Sequence, residues 1–284
     1  MESNDVIQCA RLSHTYPNGV QALLNIDLTI QRGEYVAFVG QNGSGKTTLV
    51  KHFNGLLKPT EGTVIVDGFE TKPLKVSALS CRVGYVFQNP DDMLFCSSVA
   101  EEIAYGPKML GQPPEKIQQV VEHVLAELGL EELCEMHPFA LSLGDRQRVA
   151  VACALSLNPE IFVFDEPTTG QDYFGGESIM HLIDQLHAAG KTVIFITHDM
   201  PLVAEHARRV IVMNQGQIAL DGPPQEVFQH SVLLRSLSLR SPQVTRLAQN
   251  LGLSKRTILS VKEMREWLEN EYLPAPQAAR GIVH

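Results

Sequence analysis

The residues with the clearest chemistry form one octet, Gly40-Gln41-Asn42-Gly43-Ser44-Gly45-Lys46-Thr47, with Thr48 beside it. It matches G-x-x-x-x-G-K-[ST] and lies between the apolar run Tyr35 to Val39 and a helical stretch, Thr47 to Leu57, the context such a loop requires. Glycines there let successive backbone N–H groups point at a phosphate, and the following helix N-terminus adds positive potential. Lys46 can reach the β- and γ-phosphates, and the Thr47 hydroxyl can face magnesium. A nucleotide's phosphates and Mg2+ are the ligands this chemistry predicts, and the loop alone does not separate kinases, switch GTPases and motor ATPases.

Two carboxylates stand where such a loop needs them. Phe162-Val163-Phe164 is an apolar strand ending in Asp165 and Glu166; Asp165 suits the second shell of a magnesium ion and Glu166 a general base on an attacking water. His198 follows another apolar strand, Thr192 to Thr197, and Gln88 follows the strand Val83 to Phe87. A lone histidine at a strand end is more often structural, so His198 gains meaning only from its company.

The elements around these residues change character along the chain. Residues 5–40 read as strands and turns, with a second strand region at Thr63 to Asp67. Residues of about 97–157 read as a helical subdomain, with Pro113-Pro114 opening a helix. Strands and helices then alternate: Ile161 to Phe164, a helix around Ile179 to His187, Thr192 to Ile196, a helix near Leu202 to Ala207, and Val210 to Met213. Such β-α-β succession predicts a mainly parallel, covered sheet. Sheet signals stop at Pro223, which gives one unit over 1–225 and a helical extension over 226–284. In the extension, Ser241-Pro242 opens a helix with Val244, Leu247 and Leu251 on one face. Ser260 and Glu263 form a capping box for another, with Val261, Met264, Trp267 and Leu268 at core spacing.

Composition limits the function classes. Of 284 residues 44% are apolar and 19% charged, an ordinary globular balance. The net charge is -9, and residues 231–284 carry eight Lys+Arg against four Asp+Glu, so the body is strongly acidic and the tail basic. An acidic body argues against nucleic acid as a partner. The tail reads either as a unit docking on acidic surface or as a solvated charged helix. No signal-peptide pattern opens the sequence, no run of 18 apolar residues occurs, and five widely spaced cysteines lack a C-x-x-C pair, which together fit a reducing cytosol.

From Val6 to about Gly222 the chain resembles the ATP-binding subunits of ABC transporters, with that family's motifs in order. The resemblance implies adenine stacking at Tyr16, the phosphate loop at 40–47, the Q-loop hinge at Gln88, and the signature at Leu141-Ser142-Leu143-Gly144-Asp145. It further implies Asp165-Glu166, a D-loop at Gly170-Gln171-Asp172 and a switch histidine at His198. The implied fold is α/β: a P-loop NTPase with a RecA-like, mainly parallel core, an antiparallel β subdomain, the helical signature subdomain and a helical C-terminal extension. In such a family Ser142, Gly144 and Asp145 would meet ATP held by a second cassette, identical or paralogous, so that dimer closure completes the sites. Catalysis would rest on Glu166, His198 and Gln88, and magnesium on Thr47, Gln88 and Asp165.

Leu143 and Asp145 depart from the family signature, and Gln171 from its D-loop. Asp145 would either oppose an arriving γ-phosphate or cap its helix. The run Phe87 to Phe95, and Ser241 to Ala248 in the tail, are similar to the energy-coupling factor importers of vitamins and transition-metal ions such as cobalt and nickel. That resemblance implies an integral membrane subunit, a substrate-capture membrane subunit, a peripheral place on the cytoplasmic face of the cell membrane and ATP hydrolysis coupled to transport. Met93, Leu94 and Phe95 form an apolar cluster suited either to a membrane partner's coupling helix or to packing on the subdomain. Another ABC transporter class is the alternative. A soluble ABC ATPase of DNA maintenance would need a coiled-coil insertion before Asp165, and a translation-associated one would carry two cassettes.

Overall fold

The computed structural model describes residues 4–253 and 257–269. Among the described residues ten strands form two sheets. The antiparallel sheet runs β2 (Gln21–Gln31), β1 (Asp5–Thr15), β4 (Glu61–Val66), β5 (Phe69–Glu70). The larger sheet runs β10 (Gln217–Gly222), β9 (Arg209–Asn214), β3 (Tyr35–Val39), β8 (Thr192–Ile196), β7 (Ile161–Asp165), β6 (Val83–Val86). Its neighbours are parallel except for the β9–β10 pair.

Covered parallel strands need apolar residues on both faces, and β3, β7 and β8 are buried at every position. Alternation then sorts them. Tyr35, Ala37, Phe162, Phe164, Val193 and Phe195 face one core, while Val36, Phe38, Ile161, Val163, Ile194 and Ile196 face the other. The second core is shared with α1 (Lys46–Phe53) and the antiparallel sheet.

A short helix, α2 (Val76–Leu79), precedes β6, and the helical subdomain comprises α3 (Val99–Met109), α4 (Pro114–Leu128) and α5 (Leu143–Leu155). On the same face of the large sheet lie α6 (Tyr173–Ala188) and α7 (Met200–His206). The extension adds α8 (Pro224–Gln229), α9 (Ser231–Ser236), α10 (Gln243–Asn250) and α11 (Val261–Trp267). Among the described residues no helix is long and apolar enough to cross a membrane.

Several elements differ from the sequence reading. The first helix ends at Phe53, because Gly55 takes φ 74°, a left-handed conformation that terminates it before Leu57. The helix expected from Ile179 starts at Tyr173, where the Asp172 side chain caps the Gly175 N–H at 2.7 Å; its first turns carry Gly175 and Gly176, which hid the periodicity. β10 was not anticipated: it is an edge strand with half-buried alternate positions, paired to β9.

The extension's packing differs most. Leu247, Leu251 and Val261, expected on core faces, are exposed, and Thr245 and Ala248 are buried instead, whereas Met264 is buried as its spacing predicts. The reason is how the extension docks. Phe228, Leu234, Leu239 and Leu259 join the core beneath the large sheet, while Ala248, Ile258 and Met264 form a small core of their own. The capping box expected at Ser260 is present, although the Glu263 carboxylate reaches the N–H of Leu259 (2.8 Å).

Candidate functional site

The sheet order puts the chemistry in a row. The phosphate loop leaves β3, His198 follows β8, Asp165 and Glu166 end β7, and Gln88 follows β6, so four adjacent parallel strands deliver these groups at their carboxyl ends. They surround one cavity of about 510 Å³, which Tyr16, Asn42, Gly43, Gly45, Lys46, Thr47 and Thr48 also line.

The loop itself is built around close backbone approaches. A Cβ on Gly40 (φ 154°) would stand 2.4 Å from the Met213 carbonyl oxygen, and one on Gly45 (φ 103°) 2.7 Å from that of Ala22, so both positions require glycine. The Lys46 ammonium donates to the carbonyls of Gly40 (2.8 Å) and Gln41 (2.9 Å). Burial lowers its pKa, opposed by the charges of Glu166 and Asp165. The Gln41 side chain turns away from the cavity and donates to the Leu237 carbonyl at 2.9 Å.

Buried Asp165 accepts from the Thr47 hydroxyl (3.3 Å) on one oxygen and from the Tyr85 hydroxyl (2.9 Å) on the other. Burial and the neighbouring Asp165 charge raise the Tyr85 pKa, keeping the phenol a donor. Glu166, at φ 50°, turns its carboxylate to His198 Nδ1 at 2.9 Å, and the Thr169 hydroxyl also reaches it (3.4 Å). Thr47, Asp165 and Gln88 offer only oxygen donors facing the cavity, apart from the Gln88 amide nitrogen. Such a set suits Mg2+ rather than a softer metal. Among the described residues no cluster of three His, Cys, Asp or Glu could hold a metal on its own.

The signature residues do not line this cavity. Ser142 caps α5, accepting the Asp145 N–H (3.1 Å) and donating its hydroxyl to the Asp145 carboxylate (2.7 Å), while the Arg148 guanidinium pairs with the other carboxylate oxygen. Desolvation opposes the charge on Asp145, but the Ser142 hydroxyl and Arg148 outweigh it and hold its pKa below the usual value. Ser142 is thus the helix cap, and Asp145, in the first turn of α5, is held within its own chain by Ser142 and Arg148. Gln171 lies against Gly144 and Leu143 against Gly170, so the two departures from the family pattern pack together.

A family model described as ABC transporter matches residues 23–169. The chain belongs to the ABC transporter family. A putative ABC transporter ATP-binding protein of Caldanaerobacter subterraneus is 46% identical over 259 residues, covering 91% of this chain but 45% of that protein. The cassette thus spans about half the length of that relative. The energy-coupling factor transporter ATP-binding protein EcfA of Methanococcus maripaludis is 42% identical over 248 residues, covering 87% of this chain and 89% of that one. Among solved structures, cbiO1 of Clostridium perfringens, part of the ABC transporter complex cbiONQ, is 34% identical with a TM-score of 0.74, covering 87% of this chain and all of that one.

In this ABC cassette the structure adds residues that motif reading missed. Tyr85 is an inward position of a buried strand, indistinguishable in sequence from core. Val20, Gln21 and Ala22 fold the first hairpin over the phosphate loop. Buried Glu102 accepts the N–H groups of Phe95 and Cys96 and so pins the loop after Gln88; its place just after the Ser98 helix cap was the available signal. The Asp91–Arg146 ion pair (3.1 Å) ties the same loop to the signature helix. Of the Met93 to Phe95 cluster, Leu94 is buried and Met93 accepts the Phe87 N–H, whereas Phe95 is 63% exposed and meets Tyr105 edge to face.

Behind the loop, Tyr16 bonds the Thr48 hydroxyl (3.0 Å) and its ring meets His14, which in turn meets His52. Burial, reinforced by the charges of His14 and Lys58 and partly offset by carbonyl hydrogen bonds, lowers the His52 pKa to about 4. The folded state then refuses a proton that the unfolded state binds below about pH 6.5. Stability is accordingly expected to fall by about 3 kcal/mol as pH drops from 6.5 to 4, and His52→Leu to remove that part of the slope, read by urea unfolding at stepped pH. At the signature, Asp145→Ala is expected to lower unfolding free energy by about 1 kcal/mol at pH 7 by removing the charge from the helix start.

Proposed function

We propose that this cassette binds and hydrolyses ATP to power an importer of the energy-coupling factor class. The observation that carries hydrolysis is the Glu166–His198 contact beside Lys46, Thr47 and Asp165 around one cavity. ATP seats its β- and γ-phosphates on the loop N–H groups and Lys46, with adenine on Tyr16. Thr47 and Gln88, with Asp165 in the second shell, would hold magnesium, which would neutralise charge on the phosphates. Glu166 takes a proton from water as the water oxygen attacks the γ-phosphorus, and the bond to the departing ADP oxygen breaks. His198 fixes the Glu166 carboxylate toward that water.

The signature lies outside the chain's own cavity, so a second cassette supplies it. Ser142 and Gly144 go to that cassette's ATP, and Asp172 shapes the contact between the two. The EcfA and cbiO1 likenesses support the importer class, with an integral membrane subunit and a substrate-capture subunit as partners, at the cytoplasmic face of the membrane. The cargo then falls among vitamins and transition-metal ions. Phe95 and Tyr105 are the exposed aromatic pair that a coupling helix covers.

Glu166→Gln is expected to retain ATP affinity and slow steady-state phosphate release by roughly 10²–10⁴; unchanged turnover refutes the assignment. Lys46→Ala weakens ATP binding itself in titration calorimetry. Phe95→Asp is expected to abolish co-purification with the membrane subunit from detergent extracts while ATP turnover by the free cassette persists.

A further inference from the structure

The cleft between α9 and α10 gathers positive charge in an otherwise acidic chain. Its cavity of about 610 Å³ is lined by Arg235 from α9, Arg240 from the connection and Arg246 from α10, with Ser231, Gln243 and Asn250 among its polar walls and no carboxylate among the described residues. Six other arginines, Arg32, Arg82, Arg146, Arg148, Arg209 and Arg265, each pair with Asp or Glu. Arg235 bonds only the Ser231 carbonyl of its own helix. Arg240 and Arg246 have no ion pair among the described residues.

Three guanidiniums facing one cavity repel each other unless an anion joins them, and their planar forks match phosphate oxygens. The floor of the cleft is already fixed, since Ser241 Oγ and Gln249 Nε2 both donate to the Phe228 carbonyl (3.4 and 3.2 Å). The arginines are thus the charged donors left to meet a ligand. A volume of this size accommodates a small molecule.

A residue beside the cleft, outside its lining, meets the phosphate loop. Leu237, between Arg235 and Arg240, accepts the Gln41 side chain through its carbonyl (2.9 Å). We propose that this cleft binds a small phosphate-bearing anion of two or more charges, and that the Leu237–Gln41 contact reports its occupancy to the phosphate loop. The site is separate from the ATP cavity, and binding there stands without the reading given to that cavity.

The test uses the full chain carrying Lys46→Ala, which weakens the phosphate loop as a competing anion site, titrated calorimetrically with inorganic pyrophosphate. Saturable uptake that weakens with added salt is expected, and a further R240E/R246E pair lowers the affinity at least tenfold with an unchanged circular dichroism spectrum. R240K/R246K retains part of it. Hydrogen exchange across residues 40–47 slows with pyrophosphate, and Gln41→Ala removes that slowing while keeping uptake. Absence of uptake, or uptake indifferent to R240E/R246E, overturns the site. So does binding of phosphatidylserine vesicles without pyrophosphate uptake, which makes the cleft a membrane surface. Loss of self-association in R240E/R246E without pyrophosphate uptake makes it a protein interface and overturns it equally. Unchanged exchange in the loop overturns the coupling.

Discussion

The Asp165 carboxylate is the fixed point on which the site depends. It is buried at the end of β7, and both its oxygens are already committed, one to the Thr47 hydroxyl and one to Tyr85. A buried carboxylate stays ionised only where donors satisfy it. Those donors come from the first turn of α1 and from β6, so satisfying one charge locks the phosphate loop, the acidic strand end and the strand leading to Gln88 together. Glu166 then occurs at a left-handed backbone position beside a finished anchor, which points its carboxylate to His198 rather than into the sheet.

The second tier of the structure ties this anchor to the helical subdomain. Glu102 holds the N–H groups of Phe95 and Cys96, Asp91 pairs with Arg146 on the signature helix, and Phe95 is left at the surface. The Asp91–Arg146 pair links the loop after Gln88 to α5 through a partly exposed contact, and buried Glu102 links it to α3 through hydrogen bonds. That loop lies between the cavity and the exposed aromatic pair.

The signature shows how one substitution is absorbed locally. A carboxylate at position 145 is accommodated by Ser142 and Arg148, and Leu143 finds its partner in the D-loop at Gly170. The Ser142 hydroxyl is consequently engaged within its own chain. Any phosphate that meets it must offer a better acceptor than Asp145.

Local chemistry was legible in the amino-acid order by itself. The octet at 40–47, the apolar strand ending in Asp165-Glu166, the strand preceding His198 and the Ser260 cap are each decided within a few residues, by backbone freedom, periodicity and capping. What lies beyond that reach was not. The sheet order β3-β8-β7-β6 turns four distant strand ends into one row, and nothing in the spacing of those strands states it. Tyr85 looks like any core residue until Asp165 is placed against it. Leu247 and Leu251 fit an amphipathic helix as well as Thr245 and Ala248 do, and which side is buried depends on where Phe228, Leu234 and Leu259 anchor the extension. Periodicity defines a face, but only packing between elements chooses the face that leaves water, because burial energy belongs to the contact and not to the helix alone.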